Sequence, residues 1–187
     1  MATNLEIEVK IACDDLECLR RAGFNLILAR PRHFEDNWLM DWPDQRLFKQ
    51  GAALRVRSVE GEGWVTFKGE VEESASSMLK IREEIEAHTN APLRMAELLE
   101  RIGLRRAFRY QKYRTIYTYA LNGRELKIAF DETPMGNFIE IEGDEKGVLS
   151  AIEQAGFTRN NIIRESYPEL QAARCRENGL SLQDLVF

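Results

Sequence analysis

Residues 6–10 read EIEVK. In an extended chain successive side chains point to opposite faces. Leu5, Ile7, Val9 and Ile11 therefore share one side, and Glu6, Glu8 and Lys10 the other. Taken alone, this is a half-buried strand with a wet outer face. The same arrangement recurs along the chain, however. Leu54 and Val56 oppose Arg55 and Arg57, and Val65 and Phe67 oppose Thr66 and Lys68. Ile81, Ile85 and Ala87 oppose Arg82, Glu84 and Glu86, with Glu83 interrupting the apolar side. Lys112 shares a face with Arg114, Leu126, Ile128 and Phe130 oppose Lys127 and Asp131, and Ile139 and Ile141 oppose Glu140 and Glu142.

A solvent face normally mixes neutral polar residues with charges of both signs. Here Glu6/Glu8, Arg55/Arg57, Lys112/Arg114 and Glu140/Glu142 are like-charged pairs two residues apart. Such pairs repel and add nothing to folding, so their recurrence points to ligands that neutralise them. Paired carboxylates suit hard divalent cations such as Mg²⁺ or Mn²⁺. Paired Arg and Lys suit phosphate oxygens.

Strands are expected at 5–12, 32–40, 53–59, 64–70, 80–87, 108–121, 124–132 and 138–143, eight in all and mostly antiparallel neighbours. EGEG after Val59 and Asn122-Gly123 are the hairpin turns, and TPMGN (133–137) is a loop. Helices are expected at 14–24, 90–104, 144–157 and 168–178. Asn90 would cap the second of these, and Leu98, Leu99 and Ile102 would form its buried stripe. An open sheet with a charged solvent face and a closed barrel with a charged lumen both hold this pattern. Closure removes exposed edges and brings the acidic strands close to the basic ones. The expectation is thus an α+β fold: a closed eight-stranded antiparallel β-barrel with a wet, charged lumen and helices packed on its aliphatic exterior. A dry lumen is excluded by the cost of burying so many charges.

The bulk numbers set the frame. The chain has 187 residues, 44% of them hydrophobic and 30% charged. This is a globular composition that fits one domain over residues 1–187. A net charge of −5 gives no general attraction to nucleic acid or to an anionic membrane. Cys13, Cys18 and Cys175 match no disulfide or metal-finger spacing and read as inert thiols. MATNLEIEVK has no apolar signal core and no run is long enough to span a bilayer, so a cytoplasmic protein is expected. His33 and His88 read as surface or loop residues, and Trp38, Trp42 and Trp64 as packing residues.

EIEVK fits the ExExK signature of the CYTH, or triphosphate tunnel metalloenzyme, superfamily. The resemblance continues in order through LRVR, TFKG, REEIE, KYR, FDETPMGNFIEIEG and SYPEL, over residues 5 to 170. Each motif alone is weak; the ordered set is specific. The resemblance implies an eight-stranded tunnel that binds a triphosphate and a divalent metal, Mg²⁺ or Mn²⁺. It implies metal ligation by Glu6, Glu8, Asp131, Glu140 and Glu142. Phosphate would be bound by Lys10, Arg55, Arg57, Lys68, Lys112 and Arg114. Arg82, with Glu84 and Glu86, would lie in the lumen as a substrate contact or as part of an ion network. Lys68, Glu8 and Glu140 are the candidate catalytic residues. Asp131 has a second reading, as the cap of the DETPMG turn. The implied partner is a small triphosphate, either inorganic triphosphate, ATP or another nucleoside triphosphate, and a homodimer is allowed. The implied activity is triphosphate hydrolysis, with class IV adenylyl cyclase or a non-catalytic phosphate-binding module as alternatives. NWLMDWPDQRLFKQG (37–51) departs from the Tyr-x-Asp-Thr-Pro-Asp stretch of many members, which leaves the second strand and the tunnel mouth unassigned.

Overall fold

The computed structural model describes residues 5–72 and 78–187. Its strands are β1 (Leu5–Ala12), β2 (Ile27–Asp41), β3 (Ala53–Val59), β4 (Glu62–Lys68), β5 (Lys80–Thr89), β6 (Arg105–Leu121), β7 (Arg124–Thr133), β8 (Gly136–Glu142) and β9 (Ile162–Ile163). The helices are α1 (Glu17–Arg21), α2 (Arg46–Lys49), α3 (Pro92–Arg101), α4 (Glu145–Gln154) and α5 (Tyr167–Glu177). The strands run in the order β5-β4-β3-β2-β6-β7-β8-β1, and β1 pairs back onto β5. Every pairing between the eight barrel strands is antiparallel, so the expected closed eight-stranded α+β barrel is the observed fold.

Two devices complete the wall, and neither was visible in the hydrophobic pattern. β1 pairs with β5 only over Leu5–Glu8, and the two-residue β9 takes over the same edge at Lys10 and Ile11. β6 outruns β7, and the C-terminal segment covers its free edge. There the Leu185 N–H donates to the Arg109 carbonyl at 2.9 Å, and the Gln111 N–H donates to the Leu185 carbonyl at 2.8 Å. Both devices satisfy backbone groups that would otherwise be left unpaired.

The hairpin turns are built as their residues dictate. Glu60 and Gly61 have φ of 54° and 92°, and Asn122 and Gly123 have 51° and 76°. Both are two-residue turns with positive φ at each position, the geometry that matches strand twist. TPMGN is not a loop but a tight turn inside a continuous hairpin. Thr133 closes it by donating through Oγ1 to the Gly136 carbonyl at 2.7 Å.

The aliphatic faces form the outer core. Val9, Ile11, Leu126, Ile128, Ile139 and Ile141 pack beneath α1 and α4 with Leu19, Val148 and Ile152. Trp38, Met40 and Val56 pack with Ala96 of α3 and Leu104. Helix cover is partial, and Ile85 on β5 is left about half exposed. α1 is a single short turn rather than the expected 14–24. α3 starts after Ala91 without a side-chain cap, so Asn90 is not its cap. Leu98 and Ile102 are exposed, and α3 instead buries Pro92 and Ala96, with Leu99 leaning in. A convex wall meets only a narrow strip of a helix, which shifts the buried stripe.

That contact depends on Gly63. A Cβ there would lie 2.4 Å from the Pro92 Cβ and 2.5 Å from the Arg57 carbonyl oxygen. Gly63→Ala is therefore expected to destabilise the protein by about 2–3 kcal/mol through overpacking. Urea unfolding with an unchanged m-value is the measurement; a loss below about 0.5 kcal/mol would show that α3 is free to slide.

Candidate active site

Charged side chains from β1, β3, β4, β5, β6 and β8 turn inward around a cavity of about 760 Å³, a volume typical of small-molecule sites. Glu6, Glu8 and Lys10 reach it from β1, Arg55 and Arg57 from β3, and Lys68 from β4. Arg82, Glu84 and Glu86 enter from β5, Lys112 and Arg114 from β6, and Glu140 and Glu142 from β8. Of the expected site residues only Asp131 stands behind the wall of this cavity.

Sheet register explains the pairing. Lys68 lies across from Glu84, Arg82 from Glu6, and Arg114 from Asp131. Lys68 Nζ donates to Glu6 at 2.7 Å and lies 2.6 Å from Glu84, and Arg82 Nε donates to Glu6 at 3.1 Å. Burial alone would raise the Glu6 pKa, yet Lys68 and Arg82 hold it well below the usual carboxylate range. Glu84 is pushed up instead, by burial and by its neighbour Glu6. Glu86 accepts from Arg57 at 3.0 Å and from Thr66 at 2.7 Å, and Arg55 donates to the Tyr110 hydroxyl at 3.4 Å. Burial and the adjacent Arg55 press the Arg57 pKa down. The Arg82–Glu84–Glu86 face thus takes part in an ion network within the lumen.

Asp131 is fully buried and does not cap the turn; Thr133 does. Asp131 Oδ1 accepts from Arg114 Nε at 2.5 Å. Its Oδ2 accepts from Lys112 at 2.9 Å, from Arg114 Nη2 at 2.6 Å and from the Tyr167 hydroxyl at 2.6 Å. Arg114 also donates to Glu140, and Lys10 lies 3.7 Å from the same carboxylate. Burial would raise the Glu140 pKa, but Arg114, Lys112 and Lys10 keep it well below the usual range.

Among the described residues, no three acidic, His or Cys side chains converge as they stand into a metal-holding group. The register nevertheless sets Glu8 directly across from Glu142, an unfavourable like-charge placement. The protein compensates weakly there. Arg82 is 3.7 Å from Glu8, and Lys127 reaches Glu142 at 2.7 Å from a half-exposed position. This oxygen-only pair, with Glu140 two residue pairs further on, fits a hard divalent cation.

Four participants escaped the sequence reading. Glu35 and His33 are buried on β2, so His33 is not a surface or loop residue; the bulged register of β2 around Pro31 hid their phase. His88 lies exposed on β5, paired with Glu62. Tyr167 reaches Asp131 from the first turn of α5, where Ser166 and Glu169 form a capping box. Lys80 is buried beside the cavity, and its spacing two before Arg82 was the available signal. The unassigned 37–51 stretch forms one lip of the cavity. Asp41 fixes it, accepting from the backbone N–H groups of Trp42, Leu47 and Phe48 at 2.7, 3.1 and 3.0 Å. Trp38 packs in the core as expected, with Trp42 against it. Among the described residues no helix is long and apolar enough to cross a membrane.

The CYTH domain profile matches residues 4–167. The chain belongs to the CYTH family. A Methanocaldococcus jannaschii protein provisionally named an adenylate cyclase is 27% identical over 182 residues, 89% of this chain and 98% of that protein. A Pyrococcus horikoshii OT3 structure is 26% identical with a TM-score of 0.67, covering 90% of this chain and 99% of that one. A Hippeastrum structure, described as an adenylyl cyclase candidate with a dominant triphosphatase activity, has a TM-score of 0.60 at 19% identity. It covers 95% of this chain and 97% of that one. In this CYTH tunnel the charged faces of β1, β3 and β8 are the inner faces.

Lys80 gives a signed test of that enclosure. Burial and the nearby Arg82 push its amine down from 10.5 to about 8. A pKa lower in the folded state than in the unfolded chain means that charging Lys80 costs stability below pH 8. The cost is relieved as pH rises from 8 towards 10.5. Lys80→Met is expected to raise stability at pH 7 by about 2–3 kcal/mol. The advantage over wild type should shrink steadily by pH 10. Equal stability of the two proteins at pH 7 would mean that Lys80 is fully hydrated.

Proposed function

We propose that this CYTH protein is a divalent-metal-dependent triphosphatase that hydrolyses inorganic triphosphate or a nucleoside triphosphate inside the tunnel. The observation that carries the reading is the arrangement of Arg55, Arg57, Lys68, Lys112 and Arg114 around one enclosed cavity, opposite the Glu8–Glu142 pair. CYTH proteins bind triphosphates, and the dominant triphosphatase activity described for the Hippeastrum protein supports hydrolysis over cyclisation.

Phosphoryl transfer needs positioning and charge neutralisation more than covalent chemistry. Arg57 and Arg55 would fork onto phosphate oxygens, and Lys68 and Lys112 would act as point charges. Arg55, Arg57 and Lys68 must loosen their hold on Glu86, Glu6 and Glu84 to do so, whereas Lys112 gives one N–H to Asp131 and has others to offer phosphate. The bound anion therefore takes over partners already in place, and little reorganisation is required. Glu8, Glu142 and Glu140 would hold Mg²⁺ or Mn²⁺, which when bound neutralises phosphate charge and acidifies water. Asp131, with all its donors engaged, is assigned to fixing Lys112 and Arg114. In the hydrolase reading, water forms the new bond to the terminal phosphorus as its bridging oxygen leaves. In the cyclase reading, suggested by the name of the Methanocaldococcus jannaschii relative, the ribose 3′-hydroxyl attacks the α-phosphorus and pyrophosphate leaves.

Incubation with inorganic triphosphate and with ATP, each with Mg²⁺ or Mn²⁺, separates the readings. Orthophosphate release is expected. Cyclic AMP with pyrophosphate would instead establish the cyclase, and binding without turnover a phosphate-binding module. Glu140→Gln should cut kcat by about 100-fold, whereas Arg57→Ala should act mainly on KM, raising it by about 10-fold. Full activity of the Glu140 variant would overturn the metal assignment.

A further inference from the structure

Glu35 lies on β2 directly across from Lys112 and is only 2% exposed. Arg57 and Lys112 flank it without hydrogen-bonding to it, and among the described residues its hydrogen-bond partner is His33. Its Oε1 is 3.6 Å from Arg57 Nη1 and 3.3 Å from His33 Nε2, and its Oε2 is 3.7 Å from Lys112 Nζ. The Arg57 and Lys112 separations exceed hydrogen-bonding distance, and among the described residues Oε2 accepts no hydrogen bond. An unsatisfied buried carboxylate oxygen is normally costly. Burial would raise the Glu35 pKa, yet Lys112 and Arg114, with His33 and Arg57, hold it well below the usual range. Asp131 provides the contrast, since it accepts four hydrogen bonds and clamps its cations. Arg57 and Lys112 face the cavity, and Glu35 sits behind them.

We infer that Glu35 is a built-in counter-anion, which supplies negative charge to Arg57 and Lys112 before substrate arrives and then competes with the substrate for them. The inference rests on the tunnel being a triphosphate site. As a positioning residue, Glu35 sets how tightly phosphate is held and how readily product leaves. Removing its charge leaves the cation cluster under-compensated. The ligand-free protein then loses stability, while anions bind more tightly.

The test compares wild type, Glu35→Gln and Glu35→Asp as full-length, metal-free protein. By calorimetry with inorganic triphosphate, Glu35→Gln is expected to bind on the order of 10-fold more tightly, as loss of a nearby unit charge implies. Glu35→Asp, which keeps the charge, should return the affinity to that of wild type. Unchanged or weaker binding by Glu35→Gln overturns the inference, because a purely structural residue can only loosen the site. Melting in rising sodium sulfate reads the same role without a substrate. Glu35→Gln should start lower and gain more per increment of sulfate than wild type, and parallel slopes overturn the inference. A wild type that binds no triphosphate either metal-free or with added Mg²⁺ or Mn²⁺ refutes the proposed function, and the sulfate slopes then decide the counter-anion role alone. If Glu35→Gln does not fold by itself, refolding in triphosphate supports the inference and failure to refold overturns it.

Discussion

Asp131 is a carboxylate with no exposure to solvent, and the rest of the tunnel is arranged around the need to compensate it. Arg114, Lys112 and Tyr167 supply donors to both of its oxygens. Removing one partner of such a group would strand an uncompensated buried charge, the costly outcome for an interior ion pair. The constraint propagates. Arg114, fixed by Asp131, also meets Glu140; Glu140 lies across from Lys10; and Lys10 donates to the Glu165 carbonyl, next to the helix that carries Tyr167. A network that is satisfied around a loop gives one geometry, whereas a partly satisfied one gives many.

A second consequence concerns the balance between stability and binding. Most cations in the lumen already have carboxylate partners, so the fold tolerates them before substrate binds. The partners differ in grip. Glu6 and Asp131 hold theirs with short hydrogen bonds, whereas the contacts of Glu35 with Arg57 and Lys112, and of Glu8 with Arg82, are longer than 3.5 Å. The looser contacts are the ones a phosphate oxygen could replace at least cost. The same grading separates residues that shape the wall from residues that face the ligand.

Much of this was legible in the chain because a strand's period of two is unforgiving. One face of β1, β3, β7 or β8 is aliphatic and the other ionic, and no register keeps the aliphatic faces covered while scattering the ions. The pattern alone leaves an open sheet and a closed barrel; closure, and with it the inward direction of Glu6, Arg57, Lys112 and Glu142, is favoured because it removes exposed edges and brings acidic strands near basic ones. Other features do not alternate. β2 shifts register around Arg30 and again at Leu39, so the buried phase of His33 and Glu35 could not be carried along the strand. β9 is two residues long, too short for any periodic signal. The stripe on α3 was misplaced because amphipathicity names a face but not the curvature of the surface beneath it. Gly63 reads as part of a turn in sequence, although its purpose is to admit Pro92.

β1 sits between β8, which forms more than a hundred residues later, and β5, and it pairs with both. On a growing polypeptide this strand emerges early and waits. Beyond the early residues Leu16, Leu19 and Phe24, most of the cover over Val9 and Ile11 comes only when the β7–β8 hairpin and α4 have been synthesised. Contacts of such long sequence separation slow folding and prolong the exposure of sticky intermediates. The ring that encloses the ions thus makes the nascent chain dependent on its own final third, and gives chaperones a defined early segment to shield.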